Sequence, residues 1–321
     1  MKCLIAVVGP TAVGKSALGI SIAQKFKGEI VNADSRQIYK YMDIGTAKPG
    51  RVERGTVPHH LLDIIEPDQS YSLSLYQKSA MEVIASVHKQ DKLPVIVGGS
   101  GQYVWAVIEG WQIPRVEPDP DFRRLMYSKA QNSGTGQLYD ELASLDPLSA
   151  SKISPNNLRR IVRALEIYHK TGLKPSLLQA KNGLPFPVLI IGLTAERNRL
   201  YSLINQRTDN MIEQGFIQEV KELLSMGYSV DLPSLSSLGY RQMATYLNGG
   251  ADLAEAVQTI KYETHRFVRG QYAWFRLNDS RIKWFDTADE VNEKINYTID
   301  SFLKLQTHLA GYRVSDLKLG E

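Results

Sequence analysis

Cysteine is nearly absent from this sequence, with one residue in 321. A single cysteine cannot form an internal disulfide, which excludes a disulfide scaffold and favours a reducing compartment. The cysteine and the six histidines also show no spacing typical of a zinc site. A large excess of charge of one sign is lacking as well, because 38 Lys and Arg face 34 Asp and Glu. The net charge of +4 does not by itself indicate a nucleic-acid partner.

The chain has no apolar run long enough to cross a membrane. The best candidate, residues 93–108, is uncharged for 16 residues. That is shorter than the ~18 residues of a transmembrane helix, and a proline and three glycines interrupt it. The N-terminus has one lysine and then a Gly-Pro turn, without the apolar segment and cleavage site of a secretory signal. We therefore expect a cytoplasmic protein with no membrane partner.

Short apolar segments without alternation indicate strands that are buried on both faces of a sheet. They lie at residues 2–8, 29–33, 61–65, 93–97 and 188–193. Helical patterns at 15–26 and 73–88 separate some of them. Strands that alternate with helices are typical of a doubly wound parallel sheet, so we predict an α/β fold. The length predicts about two domains.

A stretch of different character lies between the last two of these strands. Prolines mark both of its ends, at positions 114, 118 and 120 and at positions 185 and 187. Inside it, apolar residues recur with helical spacing over 155–170, with Ser154 placed to cap this helix and Gly172 to end it. The predicted domain bounds are 117–185 for a helical insertion and, for one core with a mostly helical C-terminal part, 1–116 and 186–321.

Residues 9–16 fit the phosphate-binding loop pattern G-x-x-x-x-G-K-[ST], the P-loop. The pattern follows a predicted strand and opens a predicted helix, which is the context that supports it. Its glycines let the backbone bend around an anion so that successive N–H groups point at phosphate oxygens. Lys15 adds a positive charge, and the Ser16 hydroxyl is the usual ligand of Mg²⁺, which we predict as the cofactor. The loop consists of Gly9, Pro10, Thr11, Ala12, Val13, Gly14, Lys15 and Ser16.

A P-loop does not specify a reaction, and the acids near it leave the choice open. Enzymes that transfer nucleotide phosphates usually hold Mg²⁺ with an aspartate after a buried strand. The strand at 93–97 ends instead in Gly-Gly-Ser-Gly, but Asp63 follows an apolar pair, so a kinase is not excluded. Asp34, Gln37 and Ser100 could together bind an exocyclic amine and remove its proton. Asp34 fits the N-cap of a helix equally well.

Six motifs, taken in order, resemble the tRNA dimethylallyltransferase (tRNA isopentenyltransferase) family. They are the P-loop, Asp-Ser-x-Gln-x-Tyr at 34–39, Met-Asp-Ile-Gly-Thr-Ala-Lys-Pro at 42–49, Pro-His-His-Leu-Leu-Asp at 58–63, Gly-Gly-Ser-Gly-Gln-Tyr at 98–103 and Asn-Asn-Leu-Arg-Arg-Ile-Val-Arg-Ala-Leu-Glu at 156–166. The match continues in order to Trp-Phe-Arg at 274–276. The resemblance implies an enzyme that transfers a dimethylallyl group from dimethylallyl diphosphate to N6 of adenine 37, beside the tRNA anticodon, giving N6-isopentenyladenosine.

The same resemblance implies roles for individual residues. Asp34 would be the general base that acts on the adenine amine. Ser100 stands where the family usually has a threonine whose hydroxyl lies near the reacting centre. Arg207 would join the P-loop in binding the diphosphate. The residues implied to contact the anticodon stem-loop of tRNA are Asp34, Ser35, Arg36, Gln37, Ser100, Arg123, Leu158, Arg159, Arg160, Ile161 and Val162.

A segment at 261–283 has six Lys and Arg against two acids, with five aromatic residues among them. Such residues can neutralise phosphates and stack on bases. A solvated helix face with aromatic core residues behind it has the same composition. The resemblance favours tRNA contact for Arg266 and Arg269. We expect the aromatic residues to lie in the core; they are Tyr262, Phe267, Tyr272, Trp274 and Phe275.

Three arginines of the predicted insertion helix, Arg159, Arg160 and Arg163, lie off its apolar stripe. We expect them to face outward, where they suit a clamp on the anticodon stem. Binding of this kind predicts an affinity that falls steeply with salt. For the chain as a whole we expect a monomer.

Other functions remain open from the sequence. One is a P-loop kinase of a nucleoside or small metabolite, and another is an isopentenyltransferase that acts on free adenylate. A tRNA-binding module with an inactive loop is a third. The proposed chemistry requires that Asp34 lie close to the P-loop and that a channel join the two.

Overall fold

The computed structural model describes residues 2–114, 116–178, 180–288 and 291–316, with the side chains of the final helix described as far as residue 308. Contacts between Cα atoms divide the chain into two compact units. Met1–Ile108 and Leu184–Glu321 form the first, which we call the core unit, and Glu109–Gly183 form the second, the insertion unit. The predicted insertion, 117–185, overlaps most of the second unit.

The core unit contains a sheet of six strands in which every pairing is parallel. The strands are β1 Leu4–Val8, β2 Gly28–Asn32, β3 His59–His60, β4 Leu93–Val97, β5 Val188–Thr194 and β6 Ile282–Asp286. Their order across the sheet is β3-β2-β4-β1-β5-β6. All residues of β1, β2 and β4 are buried, as expected for a parallel sheet that is covered on both faces. The predicted α/β fold is confirmed.

Thirteen α-helices occur in the described parts of the chain. They are α1 Lys15–Lys25, α2 Arg51–Thr56, α3 Leu73–Lys89, α4 Gly101–Ile108, α5 Pro120–Ser133, α6 Thr135–Leu145, α7 Pro147–Ala150, α8 Leu158–Thr171, α9 Arg197–Glu213, α10 Phe216–Ser225, α11 Tyr240–Leu247, α12 Leu253–Trp274 and α13 Val291–Asp316. The insertion unit contains α5 to α8, packed around a core that includes Met126, Leu138 and Leu165. None of the described helices has the length and apolarity of a membrane span.

The sequence predicts a strand at 61–65, and this prediction is wrong. The strand in this region is only His59–His60. Leu61 and Asp63 have φ angles of 62° and 55°, in the left-handed region that an extended strand does not contain. The strand β6, Ile282–Asp286, begins at the end of the basic segment 261–283 and is absent from the sequence prediction.

Helix α8 begins later than the sequence pattern indicates. Its N-cap is Asn157, whose side chain accepts a hydrogen bond from the N–H of Arg160 at 3.2 Å. The predicted cap at Ser154 is wrong because the chain makes one turn first, in which the N–H of Asn157 donates to the carbonyl of Ser154 at 2.8 Å. Gly172 ends the helix in a left-handed conformation, as predicted.

Candidate active site

Three strands end side by side at one edge of the sheet. The register pairs Val7 of β1 with Val97 of β4, and Val97 with Asn32 of β2. The loops that follow these strands therefore start next to one another, at the edge where α/β proteins bind ligands. This topology brings together the P-loop, the Gly-Gly-Ser-Gly turn at 98–101 and Asp34.

The turn at 98–101 packs directly against the segment that carries Asp34. A Cβ atom at Gly98 would overlap the carbonyl oxygen of Ala33, so glycine is required there. Ser100 Oγ accepts the N–H of Ser35 at 3.0 Å and contacts Ser35 Oγ at 3.2 Å. The predicted site residues Ser100 and Ser35 therefore touch.

The P-loop bends around the amino end of α1. Gly14 precedes this helix with a φ of 86°, a conformation that glycine adopts without strain. Lys15 Nζ donates to the carbonyl oxygen of Pro10 at 2.6 Å, which holds the ammonium group against the loop. Residues 9–16 thus have the geometry of an anion-binding loop at a helix amino terminus.

Arg207, on α9, lies against the P-loop. Its Nη1 donates to Thr11 Oγ1 at 2.6 Å, and its Nη2 donates to the carbonyl oxygen of Thr46 at 3.4 Å. Burial lowers the pKa of Arg207 below its ordinary value. Burial, and then the positive charge of Arg207, lower the pKa of Lys15 to about 7, while the Asp34 carboxylate acts in the opposite direction. Two basic groups held in a poorly hydrated site favour an anionic ligand, which stabilises their charged forms.

Asp34 lies in a turn rather than at a helix end. Its Oδ1 accepts the N–H of Arg36 at 2.8 Å, and its own N–H donates to Asn32 Oδ1 at 3.0 Å. The residues directly after Asp34, up to residue 50, form no helix, so the N-cap alternative is wrong. Within the described parts of the chain, no donor is hydrogen-bonded to the second carboxylate oxygen, Oδ2.

Gln37 is buried, and its side-chain amide binds the protein backbone. Its Nε2 donates to the carbonyl oxygens of Thr46 and Ala47, both at 3.1 Å. The amide nitrogen therefore holds the loop at 42–49, while Gln37 also lines the cavity described below, and its contact with an exocyclic amine stays a prediction. Arg36 is exposed and donates to the carbonyl of Pro233 at 2.8 Å.

A single cavity of about 300 Å³ connects the P-loop to Asp34. Its apolar lining includes Ile30, Pro49, Leu62 and Val97. Its polar lining consists of Thr11, Lys15, Ser16, Asn32, Asp34, Gln37, Thr46, Glu53, His59 and Arg207. Basic groups and two carboxylates, Asp34 and Glu53, therefore share one pocket that also has apolar side chains in its lining. The arrangement can bind an anion that carries a short hydrocarbon chain.

The insertion unit engages two of its arginines in a buried ion-pair network. Arg123 forms a bidentate pair with Glu166, with both distances 2.8 Å, and the Glu166 side chain is fully buried. Arg163 also pairs with Glu166 and donates to the carbonyl of Val116 at 2.8 Å. The expectation that Arg163 simply faces outward is wrong, and contact of Arg123 with tRNA stays a prediction.

The residues of helix α8 that are predicted to contact tRNA differ in their exposure to solvent. Arg159 and Arg160 are exposed, as expected. Ile161 and Val162 are 0% and 1% exposed in the core of the insertion unit, so their side chains do not face solvent, and contact of this segment with tRNA stays a prediction. Leu158 is half-buried and packs against the same core.

Helix α12 exposes both of its predicted tRNA-binding arginines, Arg266 and Arg269. Tyr262 and Phe267 on the same helix are 62% and 53% exposed, so the expectation that they lie in the core is wrong. Phe275, just after the helix, is buried as expected, and Tyr272 and Trp274 are half-buried.

Two residues that hold the loops of the site are missing from the sequence prediction. Gln271 of α12 contacts the P-loop, and Glu219 of α10 binds the loop at 42–49. Both lie on helices remote in sequence from the loops they hold. No motif or spacing in a single sequence identifies such contacts, because they arise only when the helices pack.

The fold and the site define a P-loop α/β protein in which an anion-binding loop and a carboxylate face one cavity. The chain belongs to the IPP transferase family, whose model matches residues 37–278. The P-loop and Asp34 precede the matched segment.

The relatives cover nearly the whole chain. A tRNA dimethylallyltransferase of Dehalococcoides mccartyi is 46% identical over 300 residues, which are 94% of this chain and 92% of that relative. The crystal structure of a full-length tRNA isopentenylpyrophosphate transferase from Bacillus halodurans is 38% identical, has a TM-score of 0.72, and covers 97% of this chain and 100% of its own. A eukaryotic dimethylallyltransferase described as acting on tRNA is 27% identical, with a TM-score of 0.79 and coverage of 97% and 80%.

Proposed function

We propose that the protein transfers the dimethylallyl group of dimethylallyl diphosphate to N6 of adenine 37 in tRNA, which gives N6-isopentenyladenosine. The observation that carries this proposal is the cavity in which Lys15 and Arg207 share a lining with Asp34. The names of the relatives at 46% and 38% identity support it. A kinase also needs an anion-binding loop, but the relatives that match nearly the whole chain are named as tRNA prenyltransferases.

The P-loop and Arg207 would bind the diphosphate. In the reaction the N6 lone pair attacks the first carbon of the dimethylallyl group, the bond from this carbon to oxygen breaks, and inorganic pyrophosphate leaves. The negative charge that develops on the leaving oxygen would be stabilised by the N–H groups of the loop, by Lys15 and by Arg207. The same groups explain why a P-loop is useful without hydrolysis of a nucleotide.

Asp34 would accept the proton that N6 loses. Its Oδ1 is fixed by the N–H of Arg36, which orients the carboxylate and leaves Oδ2 for the substrate. Ser35 and Ser100, held together beside it, offer hydroxyl groups to the acceptor base. Adenine 37 has to leave its stack to reach this cavity, at a cost of a few kcal/mol that a single-stranded anticodon loop tolerates.

The donor set fits Mg²⁺ that is bound mainly through the substrate. This ion takes oxygen ligands and is commonly held by one or two protein groups together with phosphates. The Ser16 hydroxyl lines the cavity, and the described residues contain no cluster of three or more His, Cys, Asp and Glu that could hold a metal by itself. When bound, Mg²⁺ would neutralise part of the diphosphate charge.

Exposed arginines would bind the tRNA backbone. Arg159 and Arg160 on α8, and Arg266 and Arg269 on α12, present guanidinium groups to solvent. Phosphate contacts of this kind position a nucleic acid without reading its sequence. We propose that the protein acts as a monomer in the cytoplasm.

The test is a direct transfer assay. The protein is incubated with unmodified tRNA, Mg²⁺ and dimethylallyl diphosphate, and the digested tRNA is examined by mass spectrometry. We expect one nucleoside heavier by a dimethylallyl group, at adenine 37. A parallel reaction with ATP that carries a labelled γ-phosphate tests the kinase. Phosphate transfer to a nucleoside without prenylated product would overturn the proposal.

A further inference from the structure

Gln271 of α12 connects the P-loop to the turn that carries Ser100. Its Oε1 accepts the N–H of Thr11 at 2.8 Å, and its Nε2 donates to the carbonyl oxygen of Gly99 at 3.2 Å. The side chain is 5% exposed. We propose that Gln271 is a positioning residue that sets the separation between the diphosphate-binding loop and the acceptor side of the site. This assignment rests on the proposed function.

The two loops that Gln271 joins leave different strands. The P-loop follows β1 and the turn at 98–101 follows β4, and beyond the strand ends the sheet no longer fixes their spacing. The site has room for the amide because position 99 is glycine: a Cβ atom there would overlap Nε2 of Gln271. A buried amide that has one backbone donor and one backbone acceptor as partners is held in a single orientation.

The loops that Gln271 joins also contact residues on the diphosphate side and on the acceptor side of the site. On the diphosphate side, Thr11 is held by Gln271 through its N–H and by Arg207 through its hydroxyl. On the acceptor side, Gly99 precedes Ser100, whose hydroxyl is bonded to Ser35, the neighbour of Asp34. Transfer requires the reacting atoms to approach within about 3.5 Å, and an error of about 1 Å costs about 10²-fold in rate. Gln271 is hydrogen-bonded to both loops.

The helix itself does not depend on this amide. Val268 of α12 is buried in the main core, and the carbonyl oxygen of Trp274 accepts the indole N–H of Trp105 at 3.0 Å. At its other end, Asp252 caps the helix through the N–H of Glu255 at 2.7 Å. Removal of the amide should therefore disturb the two loops rather than the position of α12.

The first test replaces the amide by an apolar side chain of similar length, Gln271→Met. A matched control exists in Gln242, which is 6% exposed, accepts the N–H of Gly239 at 2.8 Å and donates to Glu263 at 2.8 Å, away from the cavity. We expect Gln271→Met to lower kcat/KM by about 10²-fold, through both kcat and the KM for dimethylallyl diphosphate. Gln242→Met should stay within about twofold, although both variants lose a similar number of buried hydrogen bonds. Equal losses in the two variants overturn the assignment.

The second test, Gln271→Glu, distinguishes positioning from mere stability. An ionised carboxylate can still accept the N–H of Thr11 but repels the carbonyl oxygen of Gly99, whereas a protonated carboxyl group can donate to that oxygen as the amide does. The ratio of kcat/KM between this variant and the unaltered protein should therefore rise as pH falls toward the pKa of the introduced group. A ratio that does not change with pH overturns the assignment.

The two proposals fail in different ways. If the unaltered protein yields no prenylated tRNA, the proposed function falls and this assignment falls with it. If the unaltered protein is active and Gln271→Met behaves like Gln242→Met, only the role of Gln271 is rejected.

Discussion

Lys15 and Asp34 line one cavity, and the surroundings of Lys15 determine its pKa. Burial and Arg207 lower the pKa of Lys15 to about 7, so this lysine is close to half-charged near neutral pH. A diphosphate placed between Lys15 and Arg207 favours the charged form of the lysine and raises its pKa again. Binding of the substrate is therefore coupled to the uptake of a proton.

We predict that the affinity for diphosphate falls as the pH rises above 7. Free Lys15 loses its proton in this range while the complex keeps it, so the Kd increases by up to about tenfold per pH unit. Calorimetric titration with inorganic pyrophosphate between about pH 6 and pH 9 measures the slope. Lys15→Arg is the control, because a guanidinium stays charged throughout and should give a flatter profile. The same slope in both proteins would contradict the coupling.

We predict that Asp34→Asn reduces kcat by about 10²-fold or more, because the amide cannot accept the N6 proton. The substitution keeps an oxygen for the N–H of Arg36, so the turn and the affinity for tRNA should be nearly unchanged. Single-turnover kinetics and a filter-binding assay measure the two quantities. Asp68→Asn, at an exposed carboxylate of the same unit, serves as the control. Turnover of Asp34→Asn equal to that of the control would end the general-base assignment.

At the scale of elements, helix α10 holds the loop at 42–49 through one carboxylate. Glu219 Oε2 accepts the N–H groups of Asp43 at 2.9 Å and Ile44 at 2.7 Å, and Oε1 accepts the N–H of Gly45 at 3.1 Å. The same loop presents its carbonyl oxygens to Gln37 and Arg207. Helix α10 therefore holds a loop whose residues Thr46, Ala47 and Pro49 line the cavity.

We predict that Glu219→Gln lowers the free energy of unfolding by about 2 kcal/mol, since hydrogen bonds to a charged group are lost and an NH₂ group faces N–H donors. The KM for dimethylallyl diphosphate should rise because Arg207 loses a fixed partner. Urea unfolding and steady-state kinetics measure these effects. Glu222→Gln, on the exposed side of the same helix, should change stability by less than ~0.5 kcal/mol. A Glu219→Gln protein as stable as Glu222→Gln would show that the carboxylate does not hold the loop.

Short sequence patterns predict those elements whose conformation depends mainly on neighbouring residues in the chain. The strands β1, β2, β4 and β5 and the P-loop follow from short apolar runs and from glycine spacing. The strand at 61–65 fails because the left-handed φ of Leu61 is imposed by packing in the folded protein and not by a glycine in the sequence. The roles of Gln271 and Glu219 depend on helix packing, and the exposure of Phe267 shows that an aromatic residue does not have to be buried.

At the scale of the whole molecule, the net charge of +4 does not describe how the basic side chains are distributed. Several basic side chains form ion pairs within the protein: Lys48 pairs with Asp43 and Asp63, and Arg123 pairs with Glu166. Arg159 and Arg160 are exposed and appear in no ion pair within the described residues. Binding to tRNA should therefore depend on a few exposed arginines rather than on the overall charge.

We predict that the double variant Arg159→Glu and Arg160→Glu weakens tRNA binding and makes it less sensitive to salt. Each phosphate contact contributes about −0.7 to −0.9 to the slope of log K against log salt, so the loss of two contacts should flatten the slope by about 1.4 to 1.8. Turnover at saturating tRNA should be close to normal because neither residue lines the cavity. Arg124→Glu is the matched control, since Arg124 is exposed in the same unit and pairs with Asp121 on the surface. A slope that is identical in the double variant, the control and the unaltered protein would mean that α8 does not bind the tRNA backbone.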